Sequence, residues 1–147
     1  MLQEVQGEAK ENARKRPLQF TRILVVEDFD AYRAFIASLL MVKRNIRVIG
    51  EARNGLEAVE RAQELAPDLI LLDVGLPGLN GIEAAQRILQ LMPESKIIFL
   101  TQETSREIIL EALDLGACGY VAKARAGTDL LPAMDAVLQG SRFVSAT

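Results

Sequence analysis

Apolar runs that close abruptly on polar residues set the plan of this chain. Leu69-Ile70-Leu71-Leu72 is followed at once by Asp73 and then by the loop formers Gly75, Pro77, Gly78, Asn80 and Gly81. Four consecutive apolar residues bounded by turn signals predict a strand buried on both faces, as in the middle of a parallel sheet. The pattern recurs in Ile23-Leu24-Val25-Val26 before Glu27 and Asp28, in Ile97-Ile98-Phe99-Leu100 before Thr101, and in Gly119 to Ala122 before Lys123. A shorter strand is predicted over Ile46 to Ala52.

Between these runs the period changes to that of helices. After Asp30 as N-cap, the apolar positions Tyr32, Phe35, Ile36, Leu39 and Leu40 predict one buried helix face. Asn54-Gly55 opens a second helix that Pro67 stops, since proline disfavours a helical residue before it. Gly81 to Met92 predicts a third, Ser105 to Leu115, ended by Gly116, a fourth, and Thr128 caps a fifth through Gln139 with Pro132 near its first turn. Five strands alternating with five helices predict an α/β, flavodoxin-like, doubly wound fold with a five-stranded parallel sheet in the order 2-1-3-4-5. In that order the first and third strands are neighbours, so Glu27, Asp28 and Asp73 converge on one crevice at the C-terminal sheet edge. The other reading of Asp73, a helix N-cap, is disfavoured because the next helix starts only near Asn80.

Composition narrows the chemistry. The 147 residues suit one domain able to bury its own core. Residues 1–19 are polar, mixed in charge and without a period, and are expected to form a flexible arm ahead of a domain over 20–147. The net charge of -3 argues against a general nucleic-acid-binding surface. Cys118 is the single cysteine, which excludes an internal disulfide and a cysteine-rich zinc site and fits a reducing, cytoplasmic setting. No apolar run approaches the ~20 residues that span a bilayer. Histidine is absent, which removes every Ser-His or Cys-His nucleophile and any phosphohistidine carried by this chain.

What remains is carboxylates, hydroxyls and lysine gathered at one edge: Glu27, Asp28, Asp73, Thr101 and Lys123. Crowded carboxylates raise one another's pKa unless cations compensate. Lys123 supplies one positive charge, and a hard divalent ion such as Mg2+ or Mn2+ suits an all-oxygen site. These pieces fit phosphoryl transfer to a carboxylate, with Asp73 as nucleophile and the metal held by Asp28, Asp73 and, through water, Glu27. Lys123 would neutralise the phosphoryl oxygens and Thr101 would hydrogen-bond one of them.

From Arg22 to about Ser145 the residues resemble the receiver domain of two-component response regulators. The motifs are distributed: ILVVED, LLDVGLPGLNGIE around Asp73, IIFLT, and GACGYVAKARAGTDLLPAMDAVLQGSRFVS, whose G-Y-x-x-K and G-x-x-x-x-S are most similar to the LuxR/NarL-type subfamily. The resemblance implies Asp73 as phosphoacceptor, Glu27 and Asp28 as the acidic pair, Gly75 as a metal ligand through its backbone carbonyl, Thr101 and Tyr120 as switch residues, and Lys123 as the phosphate contact. It further implies a histidine kinase or histidine phosphotransfer protein as donor, and an output through the face of the fourth helix, fifth strand and fifth helix, with homodimerisation on phosphorylation. The output expected is transcription control through a helix-turn-helix domain downstream, so that this chain itself binds no DNA and no membrane. Only Ser141 to Thr147 follow Gly140, at what would be a linker or the end of a stand-alone domain.

Three departures from the family pattern stand out. Ala124 follows Lys123 where receivers commonly have a cis proline, which predicts a looser loop. Gly75 leaves open space beside the acceptor, and Gln102 after Thr101 is bulkier than usual. Two rival functions compete. A haloacid-dehalogenase-type phosphatase needs a second aspartate two residues after the nucleophile, where Gly75 stands. A pseudo-receiver would keep the fold as a protein-interaction module without the chemistry.

Overall fold

The computed structural model describes residues 20–102 and 105–145, and the expected arm over 1–19 lies outside the described residues. The elements run β1 (Thr21–Val26), α1 (Asp30–Leu40), β2 (Ile46–Ala52), α2 (Gly55–Leu65), β3 (Leu69–Leu72), α3 (Gly81–Leu91), β4 (Lys96–Thr101), α4 (Arg106–Asp114), β5 (Gly119–Ala122), α5 (Ala126–Leu138) and β6 (Phe143–Val144). The strands form one sheet in the order β2-β1-β3-β4-β5-β6, and every pairing is parallel. Six strands replace the expected five. β6 is only two residues long, too short to carry a period, and it is held on β5 by Phe143 N donating to Cys118 O (3.2 Å) and Ser145 N donating to Tyr120 O (2.8 Å).

Alternation along the inner strands divides the core into two layers. Leu24, Val26, Ile70, Leu72, Ile97 and Phe99 face Ala58, Ala62, Ile82, Ala85, Ile88 and Ala112 of α2, α3 and α4. Ile23, Val25, Leu69, Leu71, Ile98 and Leu100 face Ile36, Leu40, Leu130, Ala133 and Met134 of α1 and α5. All four residues of β3 are buried, which is why its sequence is a continuous apolar run rather than an alternating one.

Local chemistry fixes most helix starts. Asn54 and Ser105 accept from the backbone N–H three residues on, and Asn80 and Glu83 form a reciprocal capping box at the start of α3. Glycines bring α2 and α3 close to the loop after β3. A Cβ on Gly81 would lie 2.0 Å from the carbonyl oxygen of Asp73, and one on Gly55 would lie 2.0 Å from that of Leu79, so no larger residue fits without moving backbone.

Several local expectations differ from the structure. Asp30 lies inside the first turn of α1, and Phe29 takes the N-cap position without a side-chain cap. On the expected apolar face of that helix Ile36 and Leu40 are buried, but Phe35 is exposed and Tyr32 only partly covered. After Lys123, where a loop was expected, Lys123–Arg125 form a 3-10 turn that runs directly into α5. Thr128 therefore sits within the first turn, donating from Oγ1 to Arg125 O (3.1 Å), and Pro132 falls in the helix interior. The carbonyl that loses its partner to Pro132 belongs to exposed Thr128, where water can replace the missing N–H.

Candidate functional site

The backbone ladder continues one residue past the central strands. Glu27 N donates to Ala52 O (2.9 Å) and Asp73 N donates to Val26 O (3.2 Å), which pins both carboxylate-bearing residues to the sheet edge. Above that edge opens a cleft of about 710 Å3 lined by Glu27, Asp28, Asp73, Gly75, Thr101 and Lys123 together with Phe29, Ala31, Tyr32, Phe35 and Gln102. The six sequence-predicted residues other than Tyr120 thus meet around one space. Tyr120 lies on β5 beneath it, buried, with its ring centroid 6.4 Å from that of Phe99.

Both oxygens of Asp73 have donors. Gly75 N donates to Oδ1 (3.1 Å) and Lys123 Nζ donates to Oδ2 (3.1 Å). Glu27 is held likewise, with Phe29 N donating to Oε2 (3.0 Å) and Lys123 Nζ 2.5 Å from Oε1. Asp28 is exposed. One ammonium therefore serves two buried carboxylates, with a third alongside. Burial holds the Glu27 carboxyl above its usual range, the Asp73 charge adds to that, and the bonds from Lys123 and Phe29 N–H only partly oppose it. Burial works against the Lys123 ammonium, but its bond to Glu27 and the charge and bond of Asp73 outweigh it, so the lysine is held above its ordinary value.

Oxygens of Glu27, Asp28 and Asp73, one from each, all lie within 4.8 Å of one another. Three hard anionic donors with one cation between two of them form a set that fits a small divalent metal, and neither thiol nor imidazole is present to favour a softer one.

Several residues at the cleft escaped the sequence. Tyr32, assigned there to the core face, donates from its hydroxyl to Lys123 O (2.9 Å), and its ring lies 4.7 Å from Lys123 Nζ. Burial, then the charges of Glu27 and Asp73, push its phenol up to about 12. Arg33, nearly buried, donates from NH1 to Glu27 O (2.8 Å) and from NH2 to Asp30 Oδ1 (2.6 Å), clamping the loop that carries Glu27 and Asp28. Arg33 lies six residues after Glu27, but Tyr32 and Lys123 are 91 apart, a pairing only the closed sheet creates.

A second polar group closes the far side of the Lys123 turn. Ser145 Oγ donates to Asp129 Oδ2 (2.7 Å) and accepts from Ala122 N (3.1 Å), and Arg125 Nε donates to Asp129 Oδ2 (2.9 Å). The Arg125 bond first, then that of Ser145, holds the Asp129 carboxyl below its usual range.

Known proteins resemble this chain in sequence and in fold. The family model described as response regulator receiver domain matches residues 23–135. The chain is 38% identical over 119 residues to transcriptional regulatory protein LnrK of Bacillus subtilis (strain 168), covering 81% of this chain and 54% of that protein. It is 34% identical over 124 residues to response regulator GacA of Pseudomonas viridiflava, covering 84% of this chain and 58% of that one. The chain thus spans little more than half the length of these relatives. Among solved structures, a LuxR-family two-component response regulator from Aurantimonas sp. SI85-9A1 superposes with a TM-score of 0.82 at 32% identity, covering 85% of this chain and 89% of that one. The isolated REC domain of RcsB from Salmonella enterica serovar Typhimurium, in the presence of phosphomimetic BeF3-, gives 0.80 at 25% identity, covering 86% and 94%. A matched family model over most of the chain, relatives above 30% identity and the acidic cleft at the sheet edge together place this chain in the receiver domain family of two-component response regulators.

Proposed function

We propose that the chain is a phosphorylation-driven signalling switch in which Asp73 is the phosphoacceptor. The observation that carries this reading is the contact of Lys123 Nζ with Asp73 Oδ2 (3.1 Å) inside a cleft that also holds Glu27, Asp28 and Thr101. A carboxylate oxygen of Asp73 attacks the phosphorus of a phosphohistidine on a kinase or phosphotransfer partner. The new P–O bond forms as the P–N bond breaks, and the donor's imidazole leaves. Hydrolysis reverses the state when water attacks the same phosphorus, returning the Asp73 carboxylate and inorganic phosphate.

Asp28, Asp73, Glu27 through water and the backbone carbonyl of Gly75 would hold Mg2+, or Mn2+, whose charge would neutralise the phosphoryl oxygens. Lys123 contributes the protein's own positive charge. It spends part of its bonding on Glu27 in the unphosphorylated site, and a doubly charged phosphoryl group on Asp73 competes for it. The Thr101 hydroxyl, at the end of β4, takes a phosphoryl oxygen, and Tyr120 on the neighbouring strand β5 transmits the change to the α4-β5-α5 face. The name of LnrK as a transcriptional regulatory protein, and the greater length of both LnrK and GacA, support transcription as the output through a helix-turn-helix domain, with the switch face mediating homodimerisation in the cytoplasm.

Incubation with acetyl phosphate and magnesium tests the reading. Intact-mass measurement should show a gain of about 80 Da, one phosphoryl group, that Asp73→Asn abolishes. A wild-type protein that never gains this mass would support the pseudo-receiver reading.

A further inference from the structure

We infer that Tyr32 is a positioning residue for the reaction at Asp73, holding Lys123 in the cleft by its hydroxyl and its ring. The inference rests on the phosphoacceptor reading of Asp73. Tyr32 stands in the first turn of α1 and lines the same cleft as Lys123. Its two contacts act on different parts of the same lysine. The hydroxyl donates to the backbone carbonyl of Lys123 (2.9 Å), which also accepts from Ala126 N at the start of α5. The ring face lies 4.7 Å from Nζ, within the range of a cation–π contact.

The backbone and the ammonium of Lys123 have different tasks. When Asp73 gains a phosphoryl group, Nζ must leave Glu27 and follow the new charge while the turn beneath it stays still. Two donors on one carbonyl fix the turn, and the aromatic face gives the ammonium a surface along which it remains favourably held between carboxylate and phosphate. The ring also packs against Phe35, with centroids 5.5 Å apart at 54°. Burial and the charges of Glu27 and Asp73 oppose its ionisation, so the phenol stays protonated at working pH and serves as a donor to Lys123 O.

Tyr32→Phe and Tyr32→Leu separate the two contacts. Magnesium-dependent labelling by acetyl phosphate, followed by intact mass, should slow about 5-fold in Tyr32→Phe, the cost of one lost hydrogen bond. Tyr32→Leu should slow further, because the ring contact is lost as well. A second readout follows the lysine directly. In proton–nitrogen NMR of the lysine ammonium groups, the Lys123 signal, assigned by its loss in Lys123→Met, should be displaced by the ring in wild type and Tyr32→Phe and return to the common lysine position in Tyr32→Leu. Equal labelling rates in all three proteins, or a Lys123 signal insensitive to Tyr32→Leu, would overturn the inference. Tyr32→Phe preserves the packing with Phe35 and carries the test if the leucine variant unfolds. Absence of labelling in wild type would instead overturn the Asp73 reading, and the NMR comparison would still decide whether Tyr32 holds the lysine.

Discussion

The ammonium of Lys123 lies 2.5 Å from Glu27 Oε1, with side-chain exposures of 11% and 4%, and the same nitrogen also reaches Asp73. Removing it leaves two buried carboxylates facing each other. Lys123→Met should destabilise the metal-free protein at neutral pH by roughly 1–3 kcal/mol, less than for a fully enclosed pair because the cleft is open to water. Glu27 is already held above its usual range, so its folded form favours the proton, and the stability it contributes is lost as pH rises through that value. The deficit in Lys123→Met should therefore narrow as pH falls. Urea unfolding across pH, with Lys123→Met/Glu27→Gln recovering part of the loss, checks both statements.

Magnesium held as proposed would bind the folded cleft and relieve the carboxylate repulsion there, so it should raise the melting temperature of the wild type at neutral pH. Asp28 is exposed, so Asp28→Asn should leave metal-free stability within about 0.5 kcal/mol of wild type. The same variant should lose most of the magnesium-induced shift. Scanning calorimetry with magnesium and then with excess chelator measures the difference and its reversal.

Gly81 has no room for a side chain, because a Cβ there meets the backbone of Asp73 and Val74. Gly81→Ala should cost about 1–3 kcal/mol, as overpacking does, and should slow labelling of Asp73 beyond what the lost stability explains. Denaturant curves paired with labelling rates on the folded fraction separate the two effects.

Ser145 ties β6 to the turn after Lys123 by satisfying Ala122 N–H and Asp129 at once. Ser145→Ala leaves a buried amide unpaired and should cost about 1–3 kcal/mol at neutral pH. The Asp129 carboxyl is held below its usual range, so the stability it contributes is present above the unfolded value and is lost as pH falls through the folded one. Ser145→Ala weakens that depression. The gap between variant and wild type, followed by urea unfolding, should be widest near neutrality and shrink in acid.

The fold was legible wherever burial on both faces made an apolar run. β1, β3, β4 and β5 end on or beside the polar residues that marked them, because a strand's last buried residue is also the last that must be apolar. β6 was not legible, since its two residues owe their strand conformation to β5 rather than to their own pattern. The acidic members of the cleft were legible for the same reason as the strands. Tyr32 was not: at helical spacing an aromatic on the apolar side reads as core, and only packing against a lysine 91 residues away shows that its hydroxyl has a partner. Thr128 misled in a related way, for a good capping residue two positions inside a helix looks the same in sequence as one at its start.

Asp73 is the proposed acceptor among three neighbouring carboxylates. Labelling with acetyl phosphate and magnesium, followed by borohydride reduction, converts a phosphorylated aspartate into homoserine that peptide mass spectrometry locates in the chain. The expected result is homoserine at position 73 alone, absent when magnesium is chelated. Reduction product at Asp28 with Asp73 unmodified, or labelling unchanged in Asp73→Asn, would contradict it.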